Sequence, residues 1–474
     1  MPENQASTTE LLVALERGNG PLQRQLENQL RALIRSGRLA AGDRLPASRA
    51  LAGDLGVSRG IVSDAYMQLA AEGWLLVTPR TPPRVASLKG SVPSTLRSHE
   101  KPCSAQDRIV KGSDPLGGGV AVRYDLGPGR PDLARFPRAD WVRSLSEAVR
   151  GAGVAELDYP PIPGAHRLRA VVAAYRGRVR GTVAEAEDVV LCAGAGQAFV
   201  TIAEALGPVK LAVEDPGHEG IRALFAKRGL VPVPTRVDED GVVVDELPGD
   251  ARAVLLTPAH QFPTGAVLSS ERRAELLRWA AERDALIIED DYDAEYRYDR
   301  APVGALQGLR PDLVVHVGSV SKTLAPALRL GWLISPPAWR ERFVEARESL
   351  DHGLPALEQL ALADFISRGA YDRHLRRSGR AYRRRRDALI AALARVLPDA
   401  TVAGAAAGLH IALHIPGADE PALVERLRAA GVIVDGITPH RVAPGPSGIL
   451  LSFAAVPDAA AGHVAQLIAS GCRE

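Results

Sequence analysis

The sequence predicts a small, mainly helical (mainly α) N-terminal domain followed by a large α/β domain with a mainly parallel sheet, which a smaller C-terminal α+β part completes. Three observations indicate this arrangement. Apolar residues recur at helical spacing before residue 86, short apolar runs alternate with helical stretches after residue 121, and the residues between are rich in Ser, Pro, Gly and Lys. Because 474 residues exceed one ordinary domain, we place the domains at 12–86 and 121–474, joined by a flexible linker at 87–120.

Three helices are predicted in the N-terminal domain. In the first, apolar side chains at i, i+4, i+7 and i+8 share one face, and they are Leu26, Leu30, Leu33 and Ile34. A short second helix is predicted around Ser48 to Leu55. Gly56 then makes a turn, and Ser58 is well placed as the N-cap of the third helix.

Gly73 ends this third helix, and the apolar residues 74–77 follow as a candidate wing strand. A glycine turn before a capped third helix, with a strand pair behind it, is typical of a winged helix-turn-helix. Residues 1–89 hold 11 Lys and Arg against 8 Asp and Glu, a balance compatible with DNA binding but too small to establish it.

The composition excludes several other classes of protein. Hydrophobic residues make up 46% and charged residues 24%, the balance of a soluble globular protein. No apolar run approaches the roughly 20 residues that span a bilayer, and the first ten residues hold no export signal. The three cysteines are scattered without metal or redox spacing. We therefore expect a reduced, cytoplasmic protein with no membrane partner and no metal site.

The large domain is predicted from its alternation of apolar runs and amphipathic stretches. The candidate strands are Val189–Leu191, Leu211–Val213, Ala253–Leu256, Leu286–Ile288 and Leu313–Val317. The smaller C-terminal part is expected to begin at about Ala361. An Arg-rich stretch at 376–387 is either a nucleic-acid patch or, as we favour, a solvated helix face.

Unusual residues follow these strands, where ligands bind in open α/β sheets. Small residues at 193–196 let backbone N–H groups approach a phosphate at a helix N-terminus, although tight strand–helix packing is the favoured explanation when this signal is taken alone. Three consecutive carboxylates, Glu289, Asp290 and Asp291, follow another strand. They are costly to bury unless a cation offsets them, and a solvated loop is the alternative.

The last predicted strand leads to Ser319, Ser321 and Lys322, with Arg329 seven residues further on. A lone lysine after a strand is normally just exposed. Here a lysine amine can form a Schiff base with an aldehyde cofactor, and Asp290 can keep a pyridine nitrogen protonated. Two hydroxyls and an arginine fork can bind a phosphate. The combination therefore predicts a site for such a cofactor.

At this point the sequence resembles the MocR-type regulators, a subgroup of the GntR family with a fold-type I aminotransferase-like effector domain. The resemblance covers nearly the whole chain except the linker and the N-terminal tail. The motifs that carry it are the helix-turn-helix segment 21–69, GRPDLARFP (129–137), DYPPIPGAHRLR (158–169), EDPGHEG (214–220), TPAHQFPTG (257–265), IIEDDYDAEYRY (287–298) and SVSKTLAPALRLGW (319–332).

The resemblance implies that the chain binds pyridoxal 5′-phosphate. Lys322 would carry the internal aldimine, Asp290 would pair with the pyridinium nitrogen, and Tyr292 would hydrogen-bond the phenolic oxygen. His218 stands where an aromatic ring, usually Tyr, stacks on the cofactor, and an imidazole can stack as well. The phosphate would be held by Ala195, Gly196, Ser319, Ser321 and Arg329.

The resemblance also implies a DNA-binding face. Arg49 at the start of the second helix, and Ser58, Arg59, Gly60 and Ser63 at the start of the third, match the DNA-facing positions of the family. Arginine commonly contacts guanine, while serine and backbone N–H groups bind phosphate. Ser58 is alternatively a helix cap, or it serves both roles, and Arg44 is either a phosphate contact or a solvated loop residue.

Three positions depart from the family pattern. Gly196 replaces a frequent Gln, which leaves the backbone contact intact, and the wing 78–86 is Pro-rich where a Gly-containing tip is common. Aminotransferases also place Asn before the Pro of the PTG motif and an Arg, for the substrate carboxylate, in the last strand. Those positions are Phe262 and Leu450 here, so little transaminase turnover is expected.

Three hypotheses remain, and the first is favoured. The chain is a DNA-binding transcription regulator that senses pyridoxal phosphate or an amino compound, with no catalytic residues expected. Alternatively, it is a working aminotransferase that carries a DNA-binding module, or a regulator whose effector domain is an empty dimerisation scaffold. Fold-type I sites lie at dimer interfaces, so the resemblance implies a homodimer, with DNA-binding domains swapped between subunits, on a double-stranded operator.

Overall fold

The computed structural model describes residues 13–16, 20–78, 81–86, 122–299 and 303–473. The predicted linker at 87–120, residue 12 and wing residues 79–80 lie outside these ranges. Within the described part of the chain, no helix is long and apolar enough to cross a membrane.

The N-terminal module is a winged helix-turn-helix, as predicted. Its helices are α1 (Leu22–Arg35), α2 (Ser48–Asp54) and α3 (Arg59–Ala71), and its wing pairs β1 (Leu75–Leu76) with β2 (Arg84–Val85) in antiparallel register. The predicted turn and cap are present: Gly56 has a φ of 61°, and the Ser58 side chain accepts a hydrogen bond from the Ile61 N–H at 3.5 Å. Apolar faces of the three helices meet in a core that contains Leu26, Leu30, Val62 and Leu69.

Eight strands form the sheet of the large domain, in the order β4-β11-β10-β9-β8-β5-β6-β7. All five predicted strands lie in it. The parallel strands β10, β9, β8, β5 and β6 form its centre, β11 runs antiparallel between β4 and β10, and β7 is antiparallel to β6. The bounds are β4 (Val189–Cys192), β5 (Lys210–Asp215), β6 (Val231–Asp238), β7 (Gly241–Val242), β8 (Ala253–Leu256), β9 (Leu286–Asp291), β10 (Val314–Ser319) and β11 (Gly331–Ile334).

Helices cover both faces of this sheet. Successive side chains of a strand point to opposite faces, and the central strands carry apolar side chains on both. Ile287 and Val314 pack into one buried cluster with residues of α8, whereas Ile288 and Val315 pack into another with residues of α6, α7 and α9. The helices are α4 (Arg138–Gly151), α5 (His166–Arg180), α6 (Ala195–Leu206), α7 (Glu219–Lys227), α8 (Ser270–Arg283), α9 (Arg340–Glu348) and α10 (Ala356–Ser367).

The smaller C-terminal part begins later than predicted. Residue 361 lies inside α10, whose buried Leu360, Leu362 and Phe365 pack in one cluster with α4 and α5 of the large part. The smaller part starts instead with the long helix α11 and contains an antiparallel sheet, β12-β13-β16-β15, beside a short parallel pair of β3 with β14. The bounds are β3 (Tyr124–Asp125), α11 (Ala370–Val396), β12 (Thr401–Ala403), β13 (His410–His414), α12 (Glu420–Ala429), β14 (Val432–Ile433), β15 (Asp435–Gly436), β16 (Ile449–Ser452) and α13 (Ala461–Arg473).

The Arg-rich stretch lies on α11, and much of its charge is used inside the protein. Arg383 donates to the Tyr298 carbonyl at 2.5 Å, Arg385 to Asp132 at 2.8 Å, and Arg386 to the Ala405 carbonyl at 2.7 Å. The expected solvated face therefore describes only part of this stretch, because several of its guanidinium groups hold α11 against neighbouring segments.

Candidate functional site

A cavity of about 400 Å³ opens at the carboxyl ends of the central strands, between the large and smaller parts of the effector domain. It is the place where ligands bind in open α/β sheets. All nine residues that the sequence assigned to a cofactor line it, and they are Ala195, Gly196, His218, Asp290, Tyr292, Ser319, Ser321, Lys322 and Arg329.

One end of the cavity is suited to an anion. Ala195 and Gly196 are the first two residues of α6, whose N-terminal backbone N–H groups favour negative charge. The Arg329 guanidinium lies beside them and donates to the Ala193 carbonyl. A Cβ atom on Gly194, which has a φ of 80°, would lie 3.0 Å from Nη1 of Arg329, so this position requires glycine.

Asp290 also lines the cavity and carries an unsatisfied carboxylate oxygen. The residue is 6% exposed, and its Oδ1 atom has no hydrogen-bond partner among the described residues. Burial, together with the charge of Asp291, raises the pKa of the Asp290 carboxyl to about 8. A buried, unpartnered carboxylate of this kind fits a cationic ring nitrogen placed in the cavity.

Lys322 lines the same cavity as Asp290 and the anion-binding residues. Burial lowers the pKa of its ammonium, although the charges of Asp293 and Asp290 oppose the shift. A Cβ atom on Gly129 would lie 2.6 Å from Nζ, so this glycine leaves space for the amine. A lowered pKa makes the amine a better nucleophile toward a carbonyl.

Histidine rings form part of the cavity wall. The Tyr292 hydroxyl donates to the His260 carbonyl at 3.0 Å, and Nδ1 of His260 lies 3.2 Å from each carboxylate oxygen of Asp293. His218 also lines the cavity, with its ring centroid 5.2 Å from that of Phe262. Burial, and then the charge of Lys322, lowers the pKa of His218, which favours a neutral ring suited to stacking.

Sequence reasoning assigned no role to His260 and Asp293, although both lie in quoted motifs. These two residues and His410 place potential metal-ligand atoms within 4.8 Å of one another. The close contact of Nδ1 with Asp293 is accounted for by hydrogen bonding, so we propose no metal here.

The other two carboxylates of the triplet are buried and paired, so the solvated-loop alternative is wrong. Strand β9 continues through Asp291, which is 3% exposed and forms ion pairs with Arg176 and Arg180. Burial alone would raise the pKa of Asp291, but these two guanidinium groups hold it well below its usual value. Glu289 accepts the N–H groups of Leu306 at 3.0 Å and Gln307 at 3.1 Å.

Phe262 and Leu450, the two departures from the aminotransferase pattern, lie together. They are 8% and 0% exposed and form one apolar cluster with Ala412 and Ile437. An apolar contact thus occupies the region in which the family pattern places a carboxylate-binding Arg and an Asn.

The predicted DNA-facing residues lie at the N-terminal ends of α2 and α3 and beside the wing. Arg49, Ser58, Arg59 and Gly60 are exposed, and Ser63 is half-buried. Ser58 serves as the helix cap. The backbone of exposed Arg44 forms an isolated antiparallel β-bridge with that of Arg84 in the wing strand β2.

Comparisons with known proteins support the assignment of both the N-terminal module and the effector domain. Residues 22–85 match the model of the bacterial regulatory proteins of the gntR family, and residues 124–468 match that of aminotransferase class I and II. The chain is 33% identical over 433 residues to the HTH-type pyridoxine biosynthesis transcriptional regulator PdxR of Corynebacterium glutamicum, covering 90% of this chain and 91% of the relative.

It is also 35% identical over 387 residues to the probable rhizopine catabolism regulatory protein MocR of Rhizobium meliloti, covering 80% of this chain and 78% of that protein. Among solved structures, an archaeal alanine:glyoxylate aminotransferase superposes with a TM-score of 0.70 and 26% identity, over 75% of this chain and 91% of that one. A fold-type I domain of this class implies pyridoxal phosphate as the cofactor. The chain therefore belongs to the MocR-type transcription regulators, in which a gntR-family helix-turn-helix is joined to an aminotransferase class I and II domain.

Proposed function

We propose that this regulator holds pyridoxal phosphate covalently on Lys322 and changes its DNA binding in response to the cofactor itself or to an amino compound. The observation that carries the proposal is the unpartnered Oδ1 of Asp290, in the same cavity as the Lys322 amine. When bound, the cofactor supplies an aldehyde and a ring that withdraws electrons.

Each of the nine predicted cofactor residues has a proposed task. Asp290 pairs with the ring nitrogen, and His218 stacks on the ring. The Tyr292 hydroxyl, which donates to the His260 carbonyl in this structure, turns its hydrogen to the phenolic oxygen when the cofactor is bound. The phosphate is held by Ala195, Gly196, Ser319, Ser321 and Arg329, since backbone N–H groups, hydroxyls and a guanidinium fork all suit its oxygens.

We further propose that amino-acid turnover is slight or absent. Without a guanidinium at Leu450, an amino acid loses a bidentate carboxylate contact worth about 1.5–3 kcal/mol. The second candidate function is a working aminotransferase, which the fold of the effector domain favours. Release of oxo acid from ordinary amino acids at a physiological rate would establish that alternative.

The proposed assembly is a homodimer that binds two half-sites of a double-stranded operator in the cytoplasm, with the DNA-binding domains swapped between subunits. In such a dimer each module occupies, on the effector domain of the partner subunit, the surface that it contacts on its own chain in this structure. We retain 12–86, 87–120 and 121–474 as the proposed limits of the DNA-binding domain, linker and effector domain.

The proposal is tested by measuring DNA affinity before and after cofactor addition. The probe is the intergenic DNA that flanks the gene of this protein, labelled for fluorescence anisotropy at fixed salt. We expect pyridoxal phosphate, added to stripped protein, to change the dissociation constant. An unchanged constant, with the cofactor bound and no response to amines, would rule out the sensing role.

Replacing Arg59 is expected to weaken DNA binding. Arg59 is exposed at the first position of α3, where it can contact a base edge, so Arg59→Ala should cost about 1–3 kcal/mol of binding free energy. The matched control is Arg395→Ala, which removes the same charge from an exposed position near the end of α11 in the effector domain. Equal loss of affinity in the two variants would contradict the assignment of the DNA-binding face.

The contribution of Asp290 to the stability of the cofactor-free protein is expected to fall between about pH 4 and pH 8. Folding raises the pKa of Asp290 to about 8, so over this range the unfolded chain is deprotonated at Asp290 while the folded chain still holds the proton. Asp290→Asn should therefore flatten the dependence of Tm on pH. Exposed Asp250→Asn is the control, and parallel curves for wild type and Asp290→Asn would contradict the prediction.

A further inference from the structure

The DNA-binding module rests on a defined surface of the effector domain. We call residues 178–183 and 303–309 the docking surface. The Arg35 guanidinium donates to the Gly181 carbonyl at 2.5 Å, and Gly73 lies against Leu309. A Cβ atom on Gly304 would lie 2.9 Å from the carboxyl carbon of Glu72. These contacts involve α1 and the C-terminal end of α3.

The module side of this contact is held firmly. Nε and Nη2 of Arg31 each donate to an oxygen of Glu72 at 2.8 Å, and the Gln68 amide donates to the same carboxylate at 2.8 Å. Glu72 is 2% exposed. Because this carboxylate is fixed by the module, a side chain added at Gly304 has to displace the module rather than Glu72 alone.

The two segments of the docking surface are joined by hydrogen bonds and an ion pair to β9, the strand that carries Asp290. Glu289 accepts the N–H groups of Leu306 and Gln307, and the Gln307 side chain bonds both the N–H and the carbonyl of Val183. Arg180 pairs with Asp291 and also donates to the Val303 carbonyl. The two residues that flank Asp290 therefore hold both segments in place.

Docking leaves the DNA-facing residues free. Arg59 begins α3 and Glu72 follows its last residue, so they are separated by about 20 Å at 1.5 Å per residue. The contact thus fixes the orientation of the module without covering its DNA-binding end.

We propose that the docking surface is the interface through which the effector domain controls the DNA-binding module, and that Glu289 and Asp291 couple it to the cofactor cavity. This inference rests on the proposed function. Asp290 binds a cationic ring nitrogen best when it is charged, and Arg176 and Arg180 favour that charge because they offset the neighbouring negative charge of Asp291. Displacing the module loosens the two segments of the docking surface, and with them Arg180, so we expect it to weaken cofactor binding. Cofactor binding should in turn favour docking of the module, because such coupling is reciprocal.

The test compares Gly304→Leu with the control Gly249→Leu. The atoms nearest a Cβ at Gly304 all belong to Glu72, whereas nothing lies within 4 Å of a Cβ at exposed Gly249. A second pair is Arg35→Ala and its control Arg38→Ala, both exposed. Pyridoxal phosphate affinity is measured in the full-length protein from the visible absorbance, and hydrogen exchange is measured in the peptides that contain residues 68–75 and 181–183.

Gly304→Leu is expected to weaken cofactor binding by about fivefold or more and to abolish the slowing of exchange that the cofactor causes in these peptides. Arg35→Ala should change cofactor affinity and hydrogen exchange in the same direction as Gly304→Leu does, and the two controls should behave as wild type. Unchanged affinity and exchange in Gly304→Leu and Arg35→Ala, with the cofactor still bound, would overturn the coupling alone. A wild-type protein that binds no cofactor would overturn the proposed function and the coupling together.

Discussion

Lys322→Ala is expected to lose the visible absorbance of the bound cofactor and its effect on DNA affinity. No other described lysine lines the cavity, so the variant lacks the amine to which the cofactor is attached. Asp290 and the anion-binding end remain, and the variant should therefore retain weak, non-covalent binding. Absorbance titration and DNA anisotropy measure the two losses.

The control for this prediction is Lys227→Ala, at the exposed end of α7. It should retain both the absorbance and the DNA response. Persistence of the visible band in Lys322→Ala would mean that another amine holds the cofactor, and the proposed tasks of the cavity residues would then be wrong.

Asp291→Ala is expected to lower the free energy of unfolding of the effector domain by about 3–5 kcal/mol. Asp291 is 3% exposed and pairs with two almost fully buried guanidinium groups, those of Arg176 and Arg180. Removing the carboxylate leaves Arg180 without its ionic partner and leaves Arg176 with Glu295 alone, at the cost of an uncompensated buried charge.

Urea unfolding followed by circular dichroism measures this loss. The control is Asp250→Ala, which breaks the exposed pair of Asp250 with Lys210 and should leave the midpoint unchanged. If Asp291→Ala unfolds at the wild-type urea concentration, the ion pairs of Asp291 with Arg176 and Arg180 do not stabilise the domain, and our account of β9 is wrong.

The fold and the lining of the cavity could be predicted because their signals are local. Short apolar runs located the strands, and functional side chains follow them directly in the chain, as Lys322 follows β10. Ser58 was recognisable as a cap because the capping bond joins residues three apart.

The partners of buried charges could not be predicted because they are distant in sequence. Arg176 and Arg180 resemble surface arginines on a polar helix, and their pairing with Asp291 spans more than 100 residues. The different roles of the three carboxylates were also not predictable, because side chains alternate along a strand. Asp290 lines the cavity, whereas Glu289 and Asp291 make their contacts elsewhere. The hydrogen-bond partners of the Arg-rich stretch on α11 also lie in other segments of the chain, so the stretch itself did not reveal which of its side chains are bonded.

Borohydride reduction followed by peptide mapping tests the central claim most directly, because it fixes a covalently bound cofactor at its lysine. The chain contains six lysines, so the assignment is unambiguous. We predict that the phosphopyridoxyl mass appears on the peptide that contains Lys322 and on no other peptide. A protein that carries no such mass after incubation with pyridoxal phosphate, or carries it on a different lysine, would contradict the account.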